Sequence, residues 1–401
     1  MKKHFFHYLT VALASTLIIS CNKTSEVDPS DDPLEYKHLR VVVNDEVSKE
    51  VFIVTPRTGE TQKFETAFPK ASLYVTESGR YASVVHRENN LVQFFDSGLE
   101  YHGDHIDVKG TPKWAAMTGE SLAPTHFKSK SDEVLLFNDG DGTLSVGKET
   151  DFHTTGAKLK IINASKTAHH GAMTKFNNGN YAVTEKDGSV AGVLPERVRI
   201  INASGQEIHK STVQTKGIHG NASDGNVSVF GSASGILVVT QSGEQRLIAH
   251  PSDFGTAWFG TILEATKSQK FIGYTAAKGA YLIDVVANTV TPIVQSTDIM
   301  QCKVDYAGNR LVVLLHSGEV QIFNLSNNTL LKTGNVMSAI QKDEVQKPQL
   351  EATDKYLYIT QPKTGELLQI EIANLTNKKT IKVSSTPYRL TLLGHESSED
   401  H

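Results

Sequence analysis

Cysteine is almost missing from this chain: of 401 residues two are cysteine, Cys21 and Cys302. So small a number excludes a disulfide framework and any cysteine-based zinc site. Cys302 reads as a small buried apolar residue. A strong charge of one sign is lacking too. Lys and Arg number 40 against 44 Asp and Glu, the formal net charge is −4, and no basic stripe stands out, which argues against nucleic acid as a partner. Helical periodicity is nearly absent. So are a nucleophile elbow, a phosphate-binding glycine loop and paired catalytic carboxylates, so the chain reads as a non-enzyme. What remains suits a soluble globular protein with a sizeable core: 39% hydrophobic and 21% charged residues, over a length that allows one large domain or two to three ordinary ones.

No apolar run is long enough to span a bilayer comfortably, and the N-terminal one has a different logic. "MKKHFFHYLTVALASTLIIS" carries Lys2 and Lys3, then an apolar stretch from Leu9 to Ile19, then Ser20 before Cys21. That is the pattern of a secretory signal. Leu17-Ile18-Ile19-Ser20-Cys21 resembles a bacterial lipobox, in which the cysteine is lipidated and becomes the new N-terminus. The expectation is therefore a signal peptide over 1–20 and a lipid anchor on Cys21. A polar, flexible tether over 21–34 follows. The protein would be a periplasmic or cell-surface lipoprotein that touches the membrane by its lipid alone. A propeller domain is expected over 35–395 and a disordered tail over 396–401.

The chain is rich in short strands punctuated by turns. "EVFIVTPRTG", "RYASVVHREN", "EVLLFNDGDG", "GILVVTQSG" and "RLVVLLHSGEVQIFNL" are β-branched or aromatic runs bounded by Gly, Asn, Asp or Pro. A unit of four strands recurs every 40 to 50 residues or so, the period of a propeller blade. Its inner segments begin near Ala71, Thr125, His169, Ile218, Trp258, Met300 and Leu350. "PYRLTLLG" from Pro387 is an inner strand with nothing after it, whereas the strands from His38 have no inner strand before them. Joining the two completes a blade from both chain ends and hides the sheet edges. The sequence thus predicts an all-β propeller of eight four-stranded blades, with seven as the alternative count, closed by the terminal strands.

Histidine is abundant, with 16 residues. In a propeller, equivalent inner-strand starts converge on the axis, and three consecutive units place a histidine there: His126 in "APTHFK", His170 in "AHHGAM" and His219 in "GIHGNA". Three imidazoles meet zinc's preference for nitrogen ligands and leave a fourth position for a side chain or water. The glycine after His170 and His219 permits a close backbone approach or an unusual dihedral. Neutral imidazoles are needed, so binding should weaken below about pH 6. His86 and the "NDGDG" loop, with Asp139 and Asp141, could reach the same rim and supply the fourth ligand. "YHGDHID" gathers His102, Asp104, His105 and Asp107 into a second candidate metal cluster, a solvated polar hairpin being the alternative.

The signal sequence, the propeller-length repeat, "HGDH", "DGDGT", "AHHGAM" and "GIHG" followed by "VSVFGSASGILV" resemble the AztD-type zinc chaperones, most closely over residues 86–240. The resemblance implies a periplasmic β-propeller that binds zinc and passes it to the solute-binding protein of an ABC transporter. It also implies that His126, His170 and His219 occupy the family's histidine positions. Two other classes remain open. The same histidines could activate water in a metal-dependent hydrolase or lyase, or the chain could be a lipid-anchored interaction module whose histidines are incidental.

Overall fold

Strands such as Tyr81–His86 and Glu133–Asn138 are buried along almost their whole length instead of alternating in and out. The reason is their position. In a computed structural model of the chain, each sheet is flanked by two others, so a strand in its middle has no solvent face. The described residues are 34–394 except 103, 104 and 166, and their regular structure is nearly all β. The signal sequence, Cys21, nearly all of the tether and the tail lie outside them.

Eight four-stranded antiparallel sheets form the propeller. Blades 1 to 7 are numbered by their innermost strands: Ser72–Val75, Pro124–Lys130, Met173–Lys175, Ile218–Ser223, Thr261–Ala265, Ile299–Val304 and Leu350–Ala352. Blade 8 is built from both ends of the chain. Pro387–Leu393 is its inner strand and pairs antiparallel with Arg40–Asp45, with Val41 opposite Leu392 and Val43 opposite Leu390. All eight inner strands start within four residues of the positions read from the sequence. The largest offset, at blade 3, arises because His169 to Ala172 is an irregular lead-in to the strand.

Eight apolar clusters among the described residues lie one between each pair of neighbouring blades. Leu135, Phe137 and Leu144 of blade 2, for example, meet Met173, Val183 and Ile201 of blade 3. The outermost strands are polar and exposed, as in Glu60–Glu65 and Lys378–Lys382, and such charged edges discourage pairing with other chains. The segment before blade 8 is fastened to blade 7: buried Glu35 accepts hydrogen bonds from Tyr358 Oη at 2.5 Å and Thr353 Oγ1 at 2.9 Å.

Candidate metal centre

His126 sits just after an irregularity at its strand's start, and His219 sits within one. The register of blade 2 shifts between Pro124 and His126, and that of blade 4 between Ile218 and Asn221. A bulge at a strand end re-aims the side chain beside it. Gly220 adopts φ of +74°, and a side chain there would run into the Gly260 carbonyl. Gly171 serves the other purpose, close approach, because a Cβ on it would strike the Phe137 ring. Of the "HH" pair only His170 reaches the axis. His169 is buried, with Nδ1 against the Thr167 carbonyl at 2.8 Å and Nε2 against Thr184 Oγ1 at 3.0 Å.

Blades 2, 3 and 4 thereby bring His126, His170 and His219 together, with one ligating atom from each inside 4.8 Å of the others. The Nε2 atoms of His126 and His170 are 3.2 Å apart. Two nitrogens on one tetrahedral zinc, each about 2.05 Å from it, would be separated by about 3.3 Å. Second contacts fix the ring orientations. His219 Nδ1 lies 2.6 Å from the Gly260 carbonyl, so it carries the proton and leaves Nε2 free. His170 Nδ1 lies 2.7 Å from Asp139 Oδ2, with the same consequence. Burial opposes ionisation of Asp139, but hydrogen bonds led by that from His170 outweigh it and hold the carboxyl below its usual range. Burial, reinforced by His170 and His219, pushes His126 down to about 3, so this imidazole is neutral and available to a metal at neutral pH.

The other candidates are placed elsewhere. His86 is buried, with Nε2 2.8 Å from Thr66 Oγ1, and does not join the triad. Asp141 accepts from the Thr143 N–H at 3.0 Å and from its hydroxyl at 2.7 Å, which makes it a turn residue. His102 and His105 stand opposite each other in a hairpin, Leu99–His102 with His105–Val108, inserted between the third and fourth strands of blade 1. Inner strands run away from the triad, and antiparallel alternation returns the third-to-fourth connection to the far rim. The structure therefore separates this hairpin from the triad. His105 Nε2 lies 3.6 Å from Asp107 Oδ1; Gly103 and Asp104 lie outside the described residues. Cys302 is buried, and burial pushes its thiol up to about 12.

Sequence reasoning missed two groups. Arg87, in the turn after the second strand of blade 1, reaches Asp139 Oδ2 at 3.4 Å and Thr125 Oγ1 at 3.0 Å. Lys128, two residues past His126, enters the axial channel, where a cavity of about 1140 Å³ is walled by residues such as Tyr74, Thr174, Glu264 and Lys303. None of the three imidazoles lines that cavity.

The fold and site together define an eight-bladed propeller with an imidazole triad at one mouth of its axis. No family model matches the chain. It is 21% identical over 348 residues to the zinc chaperone AztD of Citrobacter koseri, covering 82% of each protein. The crystal structure of that AztD superimposes with a TM-score of 0.81 at 19% identity, over 90% of this chain and 99% of the other. The apo form of the same protein gives 0.80, again at 19% identity, with 90% and 98% covered. A more distant likeness is the dihydro-heme d1 dehydrogenase NirN, at a TM-score of 0.59 and 13% identity over 90% of this chain and 75% of the other. The similarity to the AztD-type zinc chaperones noted in the motifs thus extends across most of the chain.

Proposed function

We propose that this chain is a periplasmic zinc metallochaperone: it captures zinc on His126, His170 and His219 and delivers it to an uptake system. The observation that carries the reading is the convergence of three imidazoles from adjacent blades, two of them with Nδ1 committed to an acceptor and Nε2 turned to the others. Similarity to a zinc chaperone supports it. Three nitrogens leave a fourth position, which a receiving protein's side chain can enter before the histidines let go. The receiver in this reading is the solute-binding protein of a zinc ABC transporter. Cys21 carries the lipid that holds the propeller at the membrane. His102 and His105, at the far rim, form a second loading or transfer site.

The hydrolytic reading is less well served. Asp139, the carboxylate nearest the triad, is committed to His170 and Arg87, and the large cavity lies away from the imidazoles. The discriminating experiment loads the protein with one equivalent of zinc and mixes it with a zinc-free solute-binding protein beside excess chelator. Direct transfer outpaces loss to the chelator if this function holds. Transfer no faster than dissociation into the chelator would count against it.

A further inference from the structure

Immediately inward of the triad, two side chains tie the same three blades together. Lys128 follows His126 by two residues on a regular stretch of strand, so both side chains leave the same face, about 6.6 Å apart along the chain. Its ammonium donates to the Asn221 carbonyl at 2.8 Å, in blade 4 and two residues past His219. Asn221 Nδ2 in turn donates to the Met173 carbonyl of blade 3 at 2.6 Å. Lys128 therefore spans from blade 2 to blade 4 on the channel side of the imidazoles. It joins no ion pair with a described carboxylate. Burial pushes the Lys128 ammonium below its usual range, and Glu264, which lines the same cavity, opposes this through space. Burial raises the Glu264 carboxyl to about 7 against the pull of Lys128 and Lys130, so it offsets the ammonium only in part.

We propose that Lys128 limits how tightly the triad holds its metal and closes the channel to it, so that zinc enters and leaves by the outer rim. A dication at the triad and an ammonium one strand-step inward repel each other, and their separation is shorter than the distance over which salt screens such charges. A carrier has to give up its cargo, and a fixed opposing charge speeds release without removing a ligand. This inference rests on the zinc-chaperone reading above.

The test compares Lys128→Met, which removes the charge at similar length, with Lys128→Arg, which keeps it. Zinc affinity is read by competitive titration, release by the rate of loss to excess chelator, and the triad's geometry by the d–d spectrum of the cobalt-substituted protein. The expected result is roughly tenfold tighter binding and correspondingly slower release in Lys128→Met, an unchanged cobalt spectrum, and near-native behaviour in Lys128→Arg. Unchanged or weaker binding in a folded Lys128→Met protein would overturn the inference. Weaker binding with a shifted cobalt spectrum would do so by making Lys128 a ligand. If the Met variant does not fold, Lys128→Gln, neutral and still able to donate to the Asn221 carbonyl, takes its place under the same criteria. Wild-type protein that binds no zinc defeats both readings, whereas wild-type binding with no tightening defeats this one alone.

Discussion

At Asp139 one carboxylate serves three groups: His170 Nδ1 at 2.7 Å, the Gly171 N–H at 3.3 Å and Arg87 Nη2 at 3.4 Å. It turns His170 so that Nε2 faces the other imidazoles, and it keeps the proton on Nδ1. Outer partners of this kind are worth about 10- to 100-fold in metal affinity. Asp139→Ala is therefore expected to weaken zinc binding by about that factor in competitive titration, while Asp141→Ala, which loosens only a turn, leaves it unchanged. A second expectation concerns pH. The unfolded chain takes a proton on His126 near 6.5, whereas the folded chain holds out to about 3. The contribution of neutral His126 to the stability of the metal-free protein is thus fully present above pH 6.5 and is lost as pH falls from there toward 3. His86, His169 and His250, each lowered chiefly by burial, act in the same direction. Melting curves between pH 4 and 7 should fall less steeply for His126→Gln than for wild type; parallel curves would contradict this. The three histidines were legible in sequence because they share one phase of the repeat. Asp139 was legible as a residue of that rim but not as the partner of His170, since that contact joins a turn of blade 2 to the lead-in of blade 3. Arg87 and Lys128 left no local signal at all.

At the scale of single elements, the site depends on two bulged strand starts rather than on loops that happen to meet. Gly220 makes this testable. Its φ of +74° and its contact with the Gly260 carbonyl leave no room for a side chain. That same carbonyl fixes His219 Nδ1. Gly220→Ala should cost about 1–3 kcal/mol of stability and should also lower zinc affinity by displacing His219. His209→Ala, on the outer strand Glu207–His209 of blade 3, should change neither. A Gly220→Ala protein that melts lower yet binds zinc normally would separate the bulge from the site. The "GIHG" motif signalled an unusual backbone correctly, though it could not say which carbonyl the turn would press against. The "YHGDHID" segment shows the converse. Its composition suggested a metal cluster, but only its place between the third and fourth strands fixes which rim it occupies, and strand direction puts it opposite the triad.

For the whole molecule the sequence was most informative, because eight repeats each restate the same pattern and the orphan strand at Pro387 has one place to go. Ring closure rests on the pairing of Arg40–Asp45 with Pro387–Leu393 and on Asp45, whose Oδ2 accepts from the Thr386 N–H at 2.7 Å. Deleting residues 385–401 removes an inner strand and exposes two neighbouring faces, so the truncated protein should unfold or aggregate; unchanged melting would contradict closure by the chain ends. Cys21→Ala should abolish incorporation of labelled fatty acid, and equal labelling would remove the proposed anchor. Because the triad joins three blades, zinc should also stabilise the ring by mass action, by about 2.7 kcal/mol at a hundredfold excess over its dissociation constant. The most direct test of the central claim is elemental analysis combined with competitive zinc titration of wild type and of the His126→Ala, His170→Ala and His219→Ala proteins. One tightly held zinc per wild-type chain, weakened by orders of magnitude in each variant, is the predicted result. No bound metal and no affinity tighter than micromolar, or tight binding that survives loss of all three histidines, would contradict it.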